Sequence, residues 1–236
     1  MSIKENVTTI LAQIENATTL AGRKPGTVTL CAATKMNDAE RVREAIAAGV
    51  TCCGENKVQE LIEKLAQNAY EGASVHFIGH LQTNKVKQVV GKVDLIQSVD
   101  SLRLLQAIEK EADKQQLVQN VLLEINIAGE ESKSGFSIDE LWAILPEIGQ
   151  YPHIRVRGFM TIPPICHFAG ENDKFFQEMY NLSVDITRKK YDNIQVDILS
   201  MGMSDDYANA IRCGSNMVRV GTAIFGARDY SKLNQN

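Results

Sequence analysis

Two stretches near the end of the chain combine glycine, hydroxyl side chains and expected helix starts, as an anion-binding turn requires. Residues 199–206 read LSMGMSDD and residues 217–222 read MVRVGT, and each begins with the apolar run of a strand. Glycine lets the backbone approach an anion closely, and N–H groups at a helix start attract negative charge. The alternative is that both stretches are ordinary tight turns. The residues expected to form a phosphate site are Ser200, Met201, Gly202, Gly221 and Thr222.

Lys35 is the candidate nucleophile. It ends the apolar run at residues 28–35, so its side chain is expected at the end of a buried strand. Apolar surroundings disfavour the ammonium form of a lysine and leave a nucleophilic amine, the arrangement used in Schiff-base chemistry. The alternative is a lysine that extends from the strand end to solvent. Because an aldehyde cofactor that carries a phosphate needs both features, the phosphate site favours the Schiff-base interpretation.

Arg219 is the third candidate, since it lies between apolar residues on an expected central strand. A guanidinium buried there needs a partner, and a ring nitrogen that accepts a hydrogen bond would suit it. Pairing with Asp197 or Glu124 is equally compatible with the sequence. Further residues at or near strand ends could line the same mouth, namely Asn56, His80, Asn126 and Met160.

The elements that must position these residues alternate along the whole chain. Residues 2–20 predict an N-terminal helix that begins with a Ser2–Glu5 capping box. Eight strand-like runs follow, each succeeded by a helical pattern, including one helix that carries Val86, Val89 and Val90. This predicts an α/β fold, a (β/α)8 TIM barrel, with a doubly wound sheet as the alternative. We expect one domain over residues 1–236, with residues 1–22 packed on the barrel. Phosphate commonly binds after strands seven and eight of such barrels, where the two glycine stretches fall.

Composition excludes several classes of function. The net charge is −4 and the basic residues are scattered, so no nucleic-acid-binding face is indicated. No apolar run approaches a membrane span, and the N-terminus lacks a signal-peptide core. A cytoplasmic location is therefore expected. We further expect a monomer.

Metal and disulfide chemistry are not indicated either. The five cysteines are odd in number and have no C-x-x-C spacing, which argues against structural zinc and a disulfide framework. Cys52 and Cys53 fall in a buried strand and are expected to act as small hydrophobic residues. The pair Asp205-Asp206 is expected to complement a helix N-terminus, and Glu130-Glu131 to lie in a solvated loop.

Seven short segments, in order through most of the chain, carry more detail than any single motif. They are residues 33–35 (ATK), 54–60 (GENKVQE), 76–85 (HFIGHLQTNK), 133–136 (KSGF), 158–164 (GFMTIPP), 199–206 and 218–226 (VRVGTAIFG). Together they resemble the pyridoxal phosphate homeostasis protein family (YggS/PROSC type), whose barrel is similar to the barrel domain of alanine racemase.

The resemblance implies pyridoxal 5′-phosphate (PLP) bound as an aldimine to Lys35. It also implies that Arg219 lies near the pyridine nitrogen and that the phosphate lies against Ser200, Gly202, Gly221 and Thr222. The family is associated with vitamin B6 homeostasis and amino-acid balance, without an established reaction. PLP-dependent apoenzymes are then the candidate partners.

A PLP-dependent racemase is the alternative to a carrier or sensor. A racemase needs acid–base groups on both faces of the cofactor, and the alanine racemase relatives complete their site with a second domain. The barrel is expected to use nearly all of this chain. An arginine at the pyridine nitrogen would also make the ring a poorer electron sink. Both considerations favour the carrier. A purely structural module, with no chromophore, is the third possibility.

Overall fold

A computed structural model describes residues 1–130, 132–165, 168 and 170–226, and these form a closed barrel of eight parallel strands. Each strand pairs with the next, and the last pairs with the first, which confirms the predicted (β/α)8 barrel. The strands are β1 (Thr29–Ala33), β2 (Cys52–Glu55), β3 (Ser74–Phe77), β4 (Leu95–Val99), β5 (Gln119–Glu124), β6 (Ile154–Met160), β7 (Ile194–Ser200) and β8 (Met217–Val220).

Eight α-helices surround the barrel in the described part of the chain. They are α1 (Ile3–Leu20), α2 (Ala39–Ala47), α3 (Val58–Ala66), α4 (Leu102–Lys114), α5 (Ile138–Ile144), α6 (Asp173–Lys189), α7 (Tyr207–Arg212) and α8 (Thr222–Phe225). Two 3-10 helices, Thr83–Gln88 and Leu145–Gln150, complete the connections. None of the described helices is both long and apolar enough to cross a bilayer.

The segment after β3 differs from the sequence prediction. It forms a 3-10 helix over Thr83–Gln88 where an α-helix was expected. Val86, Val89 and Val90 are buried as predicted, so the apolar face was identified correctly. These residues cover about one helical turn, and β-branched side chains lower helix propensity, so a longer α-helix gains little there.

The N-terminal helix α1 packs on the barrel as predicted. Ser2 and Glu5 form the expected capping box, and the helix contacts α2, α7 and α8. Asn6 Nδ2 donates a hydrogen bond of 2.8 Å to the carbonyl of Ile224. This contact joins α1 to α8, the short helix after β8, which is one side of the candidate site.

The interior of the barrel is separate from the main apolar core between strands and helices. Its apolar side chains form two small clusters, one of Cys31, Cys52 and Met217 and one of Leu95, Leu122 and Met160, and Ile198 packs against both. Cys53 belongs to the outer core. Both cysteines of the Cys52-Cys53 pair are buried, as expected.

Candidate functional site

A cavity of about 1030 Å³ opens at the carboxyl ends of the strands. Its walls come from the segments that follow β1, β2, β3, β5, β6, β7 and β8. The sequence-predicted residues on this wall are Lys35, Asn56, His80, Arg219, Gly221 and Thr222. Four further predicted residues, Met160, Ser200, Met201 and Gly202, are buried and do not line it.

Lys35 lies two residues beyond the end of β1, and its side chain is half-buried. The backbone on either side of it is tightly held. Asn37 Nδ2 donates to the carbonyl of Lys35 at 2.9 Å, and the N–H of Met36 donates to Glu60 Oε2 at 2.7 Å. Met36 has a φ of 60°, in the left-handed region that non-glycine residues rarely occupy. These contacts fix the position from which the lysine side chain enters the cavity.

A buried ion pair supports this turn from below. Lys64 Nζ lies 2.5 Å from Glu55 Oε2, and the two side chains are 6% and 0% exposed. Lys64 Nζ also donates to the carbonyl of Thr34 at 2.8 Å, and Thr34 Oγ1 donates to Glu55 Oε2 at 3.0 Å. Tyr70 donates to the same carboxylate, and burial raises the pKa of its phenol. This cluster was not predicted from the sequence, where its only signal is the charged Glu55 directly after the apolar residues of β2.

Arg219 lies on the floor of the cavity, 5% exposed. Its Nη1 donates to the carbonyl and to the hydroxyl of Ser200, at 2.9 and 2.7 Å, and its Nη2 donates to the carbonyl of Thr161 at 2.9 Å. Pairing with Asp197, one of the alternatives left open by the sequence, is wrong because Arg157 binds that carboxylate. The planar guanidinium is therefore held in a single orientation by neutral oxygen atoms.

Glu124 faces the same cavity, and the sequence indicated it only as an alternative partner of Arg219. Burial raises the pKa of its carboxyl to about 7, and the nearby charge of Asp100 acts in the same direction. Arg219 and His80 oppose this shift. His80 itself is exposed, and its Nδ1 lies 2.9 Å from Asp100 Oδ2. The barrel mouth thus carries a carboxyl group that titrates near neutral pH.

The residues after β7 that were predicted to bind phosphate lie beneath the cavity wall. Ser200 is the last residue of that strand, and its hydroxyl is engaged inside the barrel by Arg219 and Gln97. Gly202 has a φ of 94°, and a Cβ there would lie 2.9 Å from the Tyr207 Cα. Glycine is therefore required for packing against α7. The residues of this segment that reach the cavity are Met203, Ser204 and Asp205.

Asp206 organises the segment that carries Ser204. Its Oδ1 accepts the N–H of Met203 at 2.7 Å, and its Oδ2 accepts from Asn172 Nδ2 at 3.1 Å. From the sequence, the pair Asp205-Asp206 was expected to complement a helix N-terminus. Asp206 does precede α7, but it makes no capping hydrogen bond to that helix. It holds the loop between β7 and α7 in place.

Asn56 carries an unsatisfied polar atom on the cavity wall. Its Oδ1 is buried without a hydrogen-bond partner among the described residues. The neighbouring loop approaches so closely that a Cβ on Gly79 would lie 2.2 Å from the Asn56 carbonyl oxygen. A buried acceptor without a donor is costly, so Asn56 presents a position where a bound molecule could donate a hydrogen bond.

Asn126 has a supporting role instead of lining the mouth. Its Nδ2 donates to the carbonyl of Glu130 at 2.8 Å, and its Oδ1 accepts the Glu130 N–H at 3.2 Å. This braces the loop after β5, which brings Ser132, Lys133 and Ser134 to the cavity. Glu131 and one of the five cysteines, Cys166, lie outside the described residues.

Comparison with known proteins agrees with the barrel fold. Residues 8–229 match the family model described as alanine racemase, N-terminal domain. The pyridoxal phosphate homeostasis protein of Pasteurella multocida is 39% identical over 234 residues, which cover 98% of this chain and all of the relative. PipY of Synechococcus elongatus, solved with PLP bound, is 32% identical with a TM-score of 0.79, covering 91% of this chain and 100% of its own.

Alanine racemase of Clostridium difficile shares the fold, with a TM-score of 0.70 at 18% identity. The match covers 94% of this chain and 57% of the racemase. The full-length likeness to the Pasteurella protein and the family match over residues 8–229 are decisive. The chain belongs to the alanine racemase N-terminal domain family and, within it, to the pyridoxal phosphate homeostasis proteins.

Proposed function

We propose that this chain binds PLP covalently through Lys35 and takes part in vitamin B6 and amino-acid homeostasis as a carrier or sensor. The observation that carries the proposal is the placement of Lys35 and Arg219 on one cavity, with Ser204, Gly221 and Thr222 on its wall. When bound, PLP supplies an aldehyde, a phosphate and a pyridine ring. The cavity offers a different group of this chain to each of them.

Lys35 is the group for the aldehyde. Its amine would form a carbon–nitrogen double bond with the aldehyde carbon, with loss of one water molecule. The contacts to Glu60 and Asn37 fix the backbone on both sides of the lysine, so little freedom is lost on bonding.

Arg219 and Asn56 are the groups for the ring. Arginine donates hydrogen bonds and keeps its proton at ordinary pH, so it would hold the pyridine nitrogen as an acceptor. The buried Oδ1 of Asn56 needs a donor, which a ring hydroxyl can provide. Both features fit an aromatic ring with one acceptor nitrogen and one hydroxyl group.

The phosphate would lie on the side formed by Ser204, Gly221 and Thr222. Gly221 precedes α8, and Thr222 is its first residue, so first-turn N–H groups, which have no partner within a helix, lie beside the two hydroxyls. We retain Ser200, Met201 and Gly202 as the supporting layer beneath, since Ser200 anchors Arg219.

The same geometry favours a protein that binds PLP over an enzyme that uses PLP in catalysis. An arginine at the pyridine nitrogen leaves that nitrogen unprotonated and weakens the ring as an electron sink. We further propose that the chain is a monomer and that PLP-dependent apoenzymes are its partners, as recipients of the cofactor.

Glu124 favours a second candidate function, a PLP-dependent enzyme that moves the α-proton of an amino acid. A carboxyl with a pKa of about 7 on the cavity that Lys35 lines could exchange protons near neutral pH. Incubation of the PLP-loaded protein with L-alanine or L-serine in deuterated water separates the candidates. The carrier shows no substrate-dependent α-deuteration. Deuteration that disappears in Lys35→Ala would establish the enzyme instead.

Titration with PLP tests the binding proposal. The wild-type protein should develop an absorbance band distinct from that of free PLP, and Lys35→Ala should not. Lys133→Ala is the matched control, because Lys133 lines the same cavity and pairs with Glu130. It should keep the band. A Lys35→Ala protein that retains the band would refute the proposal.

A further inference from the structure

Three buried side chains meet inside the barrel, in a cluster that the PLP site does not use. Cys31, Cys52 and His76 come from β1, β2 and β3, and the two sulfur atoms and one imidazole nitrogen all lie within 4.8 Å of one another. Cys31 and Cys52 are direct partners in the β1–β2 ladder. Their side chains therefore point the same way, into the barrel. The three residues are 0%, 1% and 6% exposed.

The hydrogen bonds around His76 leave its Nδ1 as an acceptor. Arg219 donates to Ser200 Oγ, which donates to Gln97 Oε1 at 2.7 Å. Gln97 Nε2 therefore faces His76 Nδ1, at 2.8 Å. Because an amide nitrogen only donates, the Nδ1 lone pair accepts this hydrogen bond, and a cation bound at Nδ1 would take the place of the Gln97 N–H. Cys52 Sγ lies 3.4 Å from the same nitrogen. A neutral imidazole with this lone pair is the form that binds metals.

Two thiol ligands can match the charge of a divalent cation. A divalent cation would stabilise both thiolates. Two thiolates, a neutral imidazole and a divalent cation then sum to zero charge, which removes the main cost of burying ions.

We propose that Cys31, Cys52 and His76 form a zinc site within the barrel. Two thiolates and one imidazole are the ligand types of structural zinc, and the fourth side of the cluster faces Met217. The odd number of cysteines and the absence of a C-x-x-C motif argued against structural zinc in the sequence. In a parallel barrel, neighbouring strands replace that motif, and here they bring together ligands from three successive strands.

The position of the cluster gives the ion a structural role. Arg219 is the β8 partner of Cys31 in the β1–β8 ladder, so the ion would lie beside the strand pair that presents Lys35 and Arg219. It would hold β1, β2 and β3 together beneath the cavity. Since the ligands are closed off from solvent, the ion would be bound as the barrel folds.

Metal analysis of the whole protein, expressed in zinc-supplemented medium, tests this proposal. Wild-type protein should contain about one zinc ion per chain. The zinc content of Cys31→Ala and of Cys52→Ala should be at least about tenfold lower. Cys53→Ala is the control, because Cys53 is equally buried on β2 but belongs to the outer core. It should retain the metal.

Cobalt substitution provides a second measurement on the unaltered sequence. Wild-type protein refolded with Co²⁺ should show thiolate charge-transfer bands and the d–d bands of a tetrahedral ion, and this result stands even if a cysteine variant does not fold. Zinc retained in Cys52→Ala, no thiolate bands in the wild-type, or a Cys31–Cys52 disulfide in the purified protein would each overturn the proposal. PLP absorbance in the same samples keeps this outcome separate from that of the cofactor proposal.

Discussion

Arg219 donates two hydrogen bonds from one nitrogen to Ser200, one to its carbonyl and one to its hydroxyl. The Ser200 hydroxyl in turn donates to Gln97 Oε1, so it is both a donor and an acceptor within the barrel. The serine expected to bind phosphate is thus the residue that orients the arginine.

Substitution of Ser200 should therefore affect stability more than phosphate binding. Ser200→Ala leaves Arg219 with one partner fewer and Gln97 Oε1 without its donor, at a cost of about 1–3 kcal/mol in the free energy of unfolding. Ser204→Ala, at a half-buried position on the cavity wall, should leave unfolding nearly unchanged and weaken PLP binding by about tenfold. Urea denaturation and PLP titration of both variants measure the contrast. If Ser200→Ala instead weakened PLP binding and left unfolding nearly unchanged, Ser200 would be the residue that contacts the phosphate.

The Glu55–Lys64 pair should be a major determinant of stability near the site. Lys64→Met leaves the Glu55 carboxylate buried without its charge partner, and loss of one partner of a buried pair costs about 3–5 kcal/mol. Lys57→Met is the control, because the Lys57 side chain is 55% exposed and lies 3.9 Å from Glu60. That change should cost less than about 1 kcal/mol. Equal unfolding midpoints for the two variants in urea would show that the buried pair has no special importance.

Titration of the Glu124 carboxyl should make the stability of the protein depend on pH. Its pKa in the folded protein is raised to about 7 from the ordinary value of 4.5, mainly by burial. Protonation of Glu124 therefore favours the folded state. This contribution to the free energy of unfolding is complete below pH 4.5 and is lost as the pH rises through 7. The loss amounts to about 3 kcal/mol.

Glu124→Gln should remove this dependence. The variant should be more stable than the wild-type protein above pH 7, and the difference should vanish below pH 4.5. Thermal unfolding at a series of pH values provides the measurement. A difference that is constant with pH would mean that Glu124 does not titrate in this range.

The barrel and the strand-end residues could be predicted because they depend on local patterns. Buried apolar runs mark the strands, and the chemistry of a parallel barrel lies where those runs end, which identifies Lys35, Asn56 and Gly221. The orientation of Ser200 could not be predicted in this way. Leu199 is the last apolar residue of this run in the sequence, but the strand continues through Ser200, whose hydroxyl lies inside the barrel. One residue decides this, because strand side chains alternate between two faces.

Contacts between strands that lie far apart in the sequence could not be predicted either. The chain of hydrogen bonds from Arg219 through Ser200 and Gln97 to His76 joins four strands and depends on the register of each. The burial of Lys64 could not be predicted for the same reason. A lysine on an amphipathic helix is expected in water, and only the position of Glu55 on β2 explains its burial.

Borohydride reduction of the PLP-loaded protein, followed by peptide mapping, tests the covalent role of Lys35 most directly. Reduction fixes the bond between a lysine amine and the cofactor, so the modified peptide identifies the lysine. We predict a single modified peptide, which contains Lys35, and no modification in Lys35→Ala. A reduced adduct on Lys133 or any other lysine, or no adduct in the wild-type protein, would contradict the account.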